Sequence, residues 1–184
     1  MRRQWGAIWP AFRTLIFLVL FPGTVAGLIP YWILGSPPTI ADLLASGWAY
    51  LGAVPILLGA AIILWCAWHF AVTGRGTPAP FDPPRVLVVR GLYRRVRNPM
   101  YVGMLLILLG EAALFASRQL LSYGAFVFAA FFAFVLVYEE PTLKEKFGTA
   151  YNAYCREVPR WIPRLRPWVD ATQPRSGSSP DAEN

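Results

Sequence analysis

Residues 48–72, WAYLGAVPILLGAAIILWCAWHFAV, run for 25 positions without one charged side chain. A helix needs about 20 predominantly apolar residues to cross about 30 Å of hydrocarbon, so this stretch is long enough to span a bilayer. Inside lipid every backbone N–H and C=O must be satisfied within its own segment, which makes such a run a helix and not an open strand. Three further runs accompany it: Phe12–Leu34, Met100–Ala116 and Leu120–Tyr138. The expected fold class is therefore all-α, an integral membrane bundle of about four transmembrane helices. Pro22, Gly23, Gly27 and Pro30 should bend or break the first run. Met1-Arg2-Arg3 ahead of small residues at Thr24–Gly27 also raises a cleaved signal sequence; the apolar stretch exceeds a normal signal core, and we read it as a retained span.

Composition agrees. Of 184 residues 56% are hydrophobic and eight are Trp, whereas a soluble domain is about half apolar even with Gly included. The net charge of +7 is placed in order along the chain. Arg2, Arg3 and Arg13 precede the first run, and Arg75, Arg85, Arg90, Arg94, Arg95 and Arg97 lie between the second and third. Lys144, Lys146, Arg156, Arg160, Arg164, Arg166 and Arg175 follow the fourth; the opposite side has only Arg118. The positive-inside rule then predicts an inner (cytoplasmic) membrane with both termini and the long central loop cytoplasmic. Because topology accounts for the basic charge and no binding motif accompanies the arginines, no nucleic acid is expected as a partner. Two cysteines, Cys66 and Cys155, and one histidine, His69, make neither a disulfide framework nor a metal site, so no metal is expected. His69 reads as an interfacial or packing residue.

No internal repeat is visible, and residues 1–168 are read as a single membrane domain. The segment from Val169 to Asn184 is polar and rich in Pro, Gly and Ser, and is expected to be a disordered tail. The prolines and two glycines of residues 73–90 forbid a regular helix through most of that loop. Its apolar Phe81 and Val86–Val89 predict that it lies on the membrane surface or folds into a cavity. Gly74-x-Gly76 alone lacks the context of a dinucleotide-binding fingerprint. Pro99 fits the first position of a helix with Asn98 as its N-cap, and Arg94, Arg95 and Arg97 then serve as anchors near lipid phosphates. Gly103 and Gly110, seven apart, offer another helix a close approach.

Glu111 is the one carboxylate well inside a span, where an ionised group costs about 2.5 kcal/mol or more. It either pairs with Arg118, seven residues on if the helix continues, or lines a cavity. After Tyr138-Glu139-Glu140-Pro141, the residues Leu143, Phe147, Tyr151 and Tyr154 recur at three-to-four spacing. They predict a cytoplasmic amphipathic C-terminal helix whose ring-bearing stripe faces the membrane or the spans. Glu140 can pair with Lys144 across one turn; Glu139 has no such local partner.

Taken together, "GRGTPAPFDPP" (74–84), "GLYRRVRNPMYVG" (91–103) and "YEEPTLKEKFGTAYNAYCREVPRWIP" (138–163) resemble the isoprenylcysteine carboxyl methyltransferase family of membrane enzymes and its phospholipid N-methyltransferase relatives. The likeness covers about half the chain, and its linked pattern is specific as a set. It implies S-adenosylmethionine bound between the last spans and the cytoplasmic helix, with a lipophilic or small-molecule acceptor reaching it from the lipid bilayer. Cofactor contacts are implied at Gly91, Asn98, Pro99, Met100, Tyr101, Leu106, Glu111, Ala112, Ala113, Leu114 and Glu139. The phospholipid relatives add Gly74, Gly76 and Glu140.

The residue types suit that ligand: its ammonium and hydroxyls want carboxylates, its carboxylate wants Arg, Asn or backbone N–H, and its adenine wants an aromatic slot. No catalytic acid or base is assigned. The chain departs from the resemblance at Asn98, where many members have His, and at Val135, where the prenylcysteine enzymes place the arginine that holds the substrate carboxylate. The expected activity is methyl transfer to a carboxylate, amine or thiol acceptor at the cytoplasmic face. Phospholipid headgroup N-methylation is the alternative enzyme, and a scaffold or carrier that retains the fold is the alternative of another kind.

Overall fold

Four glycines set the distance between the two central helices. The computed structural model describes residues 16, 19–36, 38–39, 43, 47, 49–73, 87 and 89–169. Within it helix α2 (Ala49–Thr73) lies against helix α3 (Pro99–Leu114). Gly52 and Gly59 of α2 face Gly110 and Gly103 of α3 in reversed order, so the pair is antiparallel. A Cβ added at Gly52 or at Gly110 would lie 2.6 Å from the other's carbonyl oxygen, and one at Gly103 would lie 2.9 Å from that of Gly59. No side chain fits there. Backbone contact replaces the hydrophobic drive that lipid tails, themselves apolar, cannot supply. The approach expected for Gly103 and Gly110 is found, and its partners on α2 are glycines at the same spacing.

Helix α4 (Arg118–Phe134) returns along α3 after a tight turn. Ser117 caps it, its Oγ accepting from the N–H of Leu120 at 3.3 Å, and Ala116 takes φ 46° to reverse the chain. This turn removes one of the two readings of Glu111, the pairing with Arg118. The helix stops at Leu114, Arg118 opens the next one with its side chain exposed, and Glu111 Oε2 is buried with no hydrogen-bond partner among the described residues. Ile63, Met104, Leu108, Val127 and Phe131 form the core where α2, α3 and α4 meet.

The first helix, α1 (Val19–Leu34), is neither straight nor broken: it widens at Thr24–Leu28, where the N–H of Ile29 reaches back to Thr24 O. The cause is Pro30, whose missing N–H and bulky ring disfavour the regular ladder. Val25 O loses its ordinary donor, Ile29, and the next residue in line, Pro30, has none. The Tyr123 hydroxyl on α4 supplies the bond at 2.9 Å. The same device recurs two residues before Pro141. There Val135–Glu139 widens, Glu140 N–H bonds to Val135 O, and the chain passes into α5 (Glu140–Glu157). The helix therefore continues past Pro141, because the wide turn absorbs the proline, and it is next interrupted at Gly148 with φ 53°.

Two helical stretches, Ala49–His69 and Arg118–Glu157, are long and apolar enough to cross a membrane, and Val19–Leu34 and Pro99–Leu114 are shorter apolar helices. Their large apolar side chains point outward: Leu57, Trp68 and Phe126 are each about 70% exposed. A soluble protein would bury such a surface, whereas a lipid-facing one has no reason to. Among the described residues the regular elements are all helical, and their outward apolar faces are those of a membrane protein.

On α5, Tyr151 and Tyr154 pack with Val158 against Leu87, Val89, Leu143, Phe147 and Trp168. The predicted ring-bearing stripe thus faces the protein's own loop ends. Residues 158–168 then run as an irregular strap beside residues 94–97. Arg97 N–H donates to Pro159 O, Arg164 N–H to Arg95 O and Trp168 N–H to Arg94 O, all at 2.8–2.9 Å. Gly74, Gly76, Phe81 and residues 170–184 of the expected tail lie outside the described residues.

Candidate functional site

The polar groups collect where α3 begins. Pro99 occupies the first helical position, as its locked φ and missing N–H favour. Asn98 precedes it, but its side chain does not cap the helix. Its Nδ2 instead donates to Arg160 O of the strap at 3.3 Å, and the residue is 7% exposed. One turn into α3, Tyr101 donates its hydroxyl to Glu139 Oε2 at 3.0 Å. The wide turn before Pro141 carries Glu139 to that position. Among the described residues no donor reaches Glu139 Oε1.

Glu140, next in sequence, belongs to a different arrangement. Its side chain is 5% exposed; Oε1 accepts from Arg97 Nη1 at 2.8 Å and Arg160 Nε at 2.6 Å, and Oε2 accepts from Arg160 Nη2 at 2.9 Å. The expected one-turn pair with Lys144 gives way to this two-arginine clamp, Lys144 contributing only its nearby charge. Burial alone would push the Glu140 carboxyl up. The Arg160 hydrogen bonds and the Arg97, Arg160 and Lys144 charges outweigh it and hold the group below its ordinary range. Arg97 Nη1 also reaches Cys155 Sγ at 3.0 Å.

The arginines read as lipid anchors are therefore turned to the protein. Arg94 Nε donates to Trp168 O, Arg95 Nη1 to Leu165 O, and Arg97 grips Glu140. The reason is the strap, which brings unpaired carbonyls within reach of guanidiniums already fixed by the turn at Gly91–Arg94. Gly91 opens that turn with φ 56°, its Cα set against the rings of Trp65 and His69. His69 in turn packs on Trp65, ring centres 5.1 Å apart.

Trp161 closes the cluster. Its ring lies 6.4 Å from Tyr101, 5.4 Å from Phe128 and 6.2 Å from Phe132 between centres, and its Nε1 is buried with no hydrogen-bond partner among the described residues. Met100 packs into the adjoining core. The structure thus unites Asn98–Tyr101, Glu139 and Glu140 at one end of α3, with Gly91 just before it. It does not bring Glu111, Ala112, Ala113 and Leu114 there, since they begin about 20 Å further along the same helix. Leu106 lies half-buried between the two groups.

Sequence reasoning missed the clamp of Glu140 by Arg97 and Arg160, and it missed Trp161. A signal for both was present in "VPRWIPRLRPW" (158–168), where prolines at every fourth position forbid a helix and hold the intervening side chains to fixed sides.

A family model described as phospholipid methyltransferase matches residues 48–150. Protein-S-isoprenylcysteine O-methyltransferase B of Arabidopsis thaliana is 35% identical over 42% of this chain and 39% of its own length. The cobalt-zinc-cadmium resistance protein CzcN of Cupriavidus metallidurans is 31% identical over 62% of this chain and 49% of its own. Methanethiol S-methyltransferase 2 of Bradyrhizobium diazoefficiens is 35% identical over 48% of this chain and 34% of its own. The chain thus spans about a third to a half of the length of these relatives. No solved structure matches it.

Proposed function

The chain belongs to the phospholipid methyltransferase family, and on that premise we propose that it is an integral membrane methyltransferase using S-adenosylmethionine, with an amine or thiol acceptor at the inner membrane face. The observation that carries this reading is the Tyr101–Glu139 pair, a carboxylate fixed by one hydrogen bond with its other oxygen left over. A half-buried carboxylate with one oxygen uncommitted suits a cationic or hydroxyl-bearing ligand.

The residues present fit that cofactor. Glu139 Oε1 would accept from its ammonium or ribose, Asn98 offers an amide held at a single long bond, and Tyr101 and Trp161 offer aromatic faces beside an unpaired indole N–H. S-adenosylmethionine when bound supplies an activated methyl group and a neutral leaving thioether. The protein's part is then to align, to exclude water and to hold polar groups in place. Pro99, Met100 and Gly91 shape the floor of this site. Glu140 is a buttress that ties the strap to the turn and makes no ligand contact. Gly74 and Gly76 are proposed to complete the site from the loop; Leu106 and Glu111–Leu114 are left for a separate acceptor-side surface.

The choice of amine or thiol rests on Val135 and Arg160. Val135 is fully buried, and Arg160 is spent on Glu140, so neither supplies the cation a substrate carboxylate would need. The four runs are taken as four spans in one membrane domain over residues 1–168, both termini cytoplasmic, which the one-sided placement of cations supports. Membranes containing the protein, given cofactor with a labelled methyl group, should yield label in volatile sulfides or in methylated amine headgroups. Label released as methanol by mild base would mark an ester and overturn the choice of acceptor.

A further inference from the structure

The strap at residues 158–168 has two faces. Val158, Arg160, Trp161, Arg164 and Trp168 turn inward to the partners already described. Ile162 and Leu165 turn outward, 79% and 90% exposed, with Val169 beyond them. Leu165 is more exposed than any other large apolar residue described, although it lies outside the spanning helices. Nothing about the strap suggests that these residues are merely loose, since backbone bonds pin it to Arg94, Arg95 and Arg97.

Its height relative to the bilayer follows from Trp161. That ring stacks on Phe132 and meets Phe128 edge-on, both lipid-facing residues about 40% exposed on α4. Ile162 is the next residue. The outward face of the strap is therefore continuous with the lipid-facing surface of a spanning helix and sits at the level where α3 begins. Its charge is one-sided as well: residues 156–169 hold four arginines and one glutamate. Arg160 and Arg164 are paired with Glu140 and Glu157; Arg156 and Arg166 are exposed and have no carboxylate partner among the described residues.

We propose that this strap is an interfacial docking element that seats Ile162, Leu165 and Val169 in the membrane surface while Arg156 and Arg166 engage anionic lipid headgroups. Apolar side chains beside unpaired cations at headgroup depth are what an anionic interface binds. The bond from Asn98 to Arg160 O and the clamp on Glu140 connect this surface directly to the polar cluster. The proposal rests on the membrane character of the protein and not on its being a methyltransferase, so the two stand or fall separately.

The test places a spin label at Ile162→Cys or Leu165→Cys, in the full chain carrying Cys66→Ala and Cys155→Ala, with Lys144→Cys as a water-exposed reference. The labelled proteins go into nanodiscs of phosphatidylcholine with and without about one third phosphatidylglycerol. Both strap labels should show an oxygen-to-nickel accessibility ratio several-fold above the reference, rising further with phosphatidylglycerol and falling back in high salt. Arg156→Gln with Arg166→Gln should remove the dependence on phosphatidylglycerol while leaving the ratio in phosphatidylcholine unchanged. Strap labels as accessible to nickel as Lys144→Cys in both lipids would overturn the proposal, as would spin–spin broadening that disappears on dilution and marks a second copy of the chain as the occupant. The labelled positions are exposed, so the cysteines disturb no packing.

Discussion

The Tyr101 hydroxyl on α3 donates to Glu139 Oε2 in the wide turn that follows α4, 3.0 Å across a gap of 38 residues in sequence. This bond fixes the carboxylate without exhausting it. Tyr101→Phe should leave the fold and melting temperature nearly unchanged, because ring packing against Phe131 at 4.6 Å is retained. Cofactor affinity should fall about three- to tenfold, the worth of one ordinary hydrogen bond at about 0.5–1.5 kcal/mol. Calorimetric titration of both proteins reads this directly.

Glu139 reaches that position through the wide turn ahead of Pro141. With Pro141→Ala the N–H is restored and a regular helix can close, turning the segment beyond by about 100° relative to α4. Helix content by circular dichroism should hold steady while cofactor affinity drops several-fold. Unaltered affinity in this variant would show that the proline does not set the direction of Glu139.

The four-glycine contact predicts a steep steric cost. Gly110→Ala puts a methyl group 2.6 Å from Gly52 O and should destabilise the protein by about 1–3 kcal/mol through overpacking. Gly124→Ala is the control, since its new Cβ meets only Leu108 Cβ at an ordinary 3.7 Å. Thermal unfolding in one detergent should separate the two variants clearly.

How much of this was legible from sequence follows from which forces are local. Apolar runs gave the helices and their approximate ends, because lipid leaves the backbone no alternative, and Gly103 with Gly110 announced a close contact. The break between the runs ending at Ala116 and starting at Leu120 was legible, but whether Glu111 paired with Arg118 or lined a cavity was not, because that depends on the tight reversal made by the positive φ at Ala116. Pro30 and Pro141 signalled disturbance but not its form, since widening and breaking begin from the same missing N–H. At the site, Asn98, Tyr101 and Glu139 stood out by pattern. The arginines did not reveal their partners, because Arg97–Glu140 and Arg160–Glu140 depend on a strap whose path is set by tertiary contacts.

The Glu140 clamp makes stability depend on pH with a definite sign. The folded carboxyl is held below its ordinary value of 4.5. Its contribution is therefore fully present above the unfolded value and is lost as pH falls through the folded one. Unfolding midpoints should decline below about pH 4.5 in the wild type, and Glu140→Gln should flatten that part of the profile. Removing the carboxylate leaves Arg97 buried without its counter-charge, which costs about 3–5 kcal/mol at neutral pH. Arg97→Met with Glu140→Leu should recover part of that loss.

The central claim is that Glu139 beside the start of α3 holds the cofactor, and calorimetric binding of S-adenosylmethionine to wild type and Glu139→Gln tests it most directly. The account predicts saturable binding to the wild type and an affinity at least about tenfold weaker in the variant, the loss expected for a hydrogen-bonded charge. Equal affinity in the two proteins would contradict it.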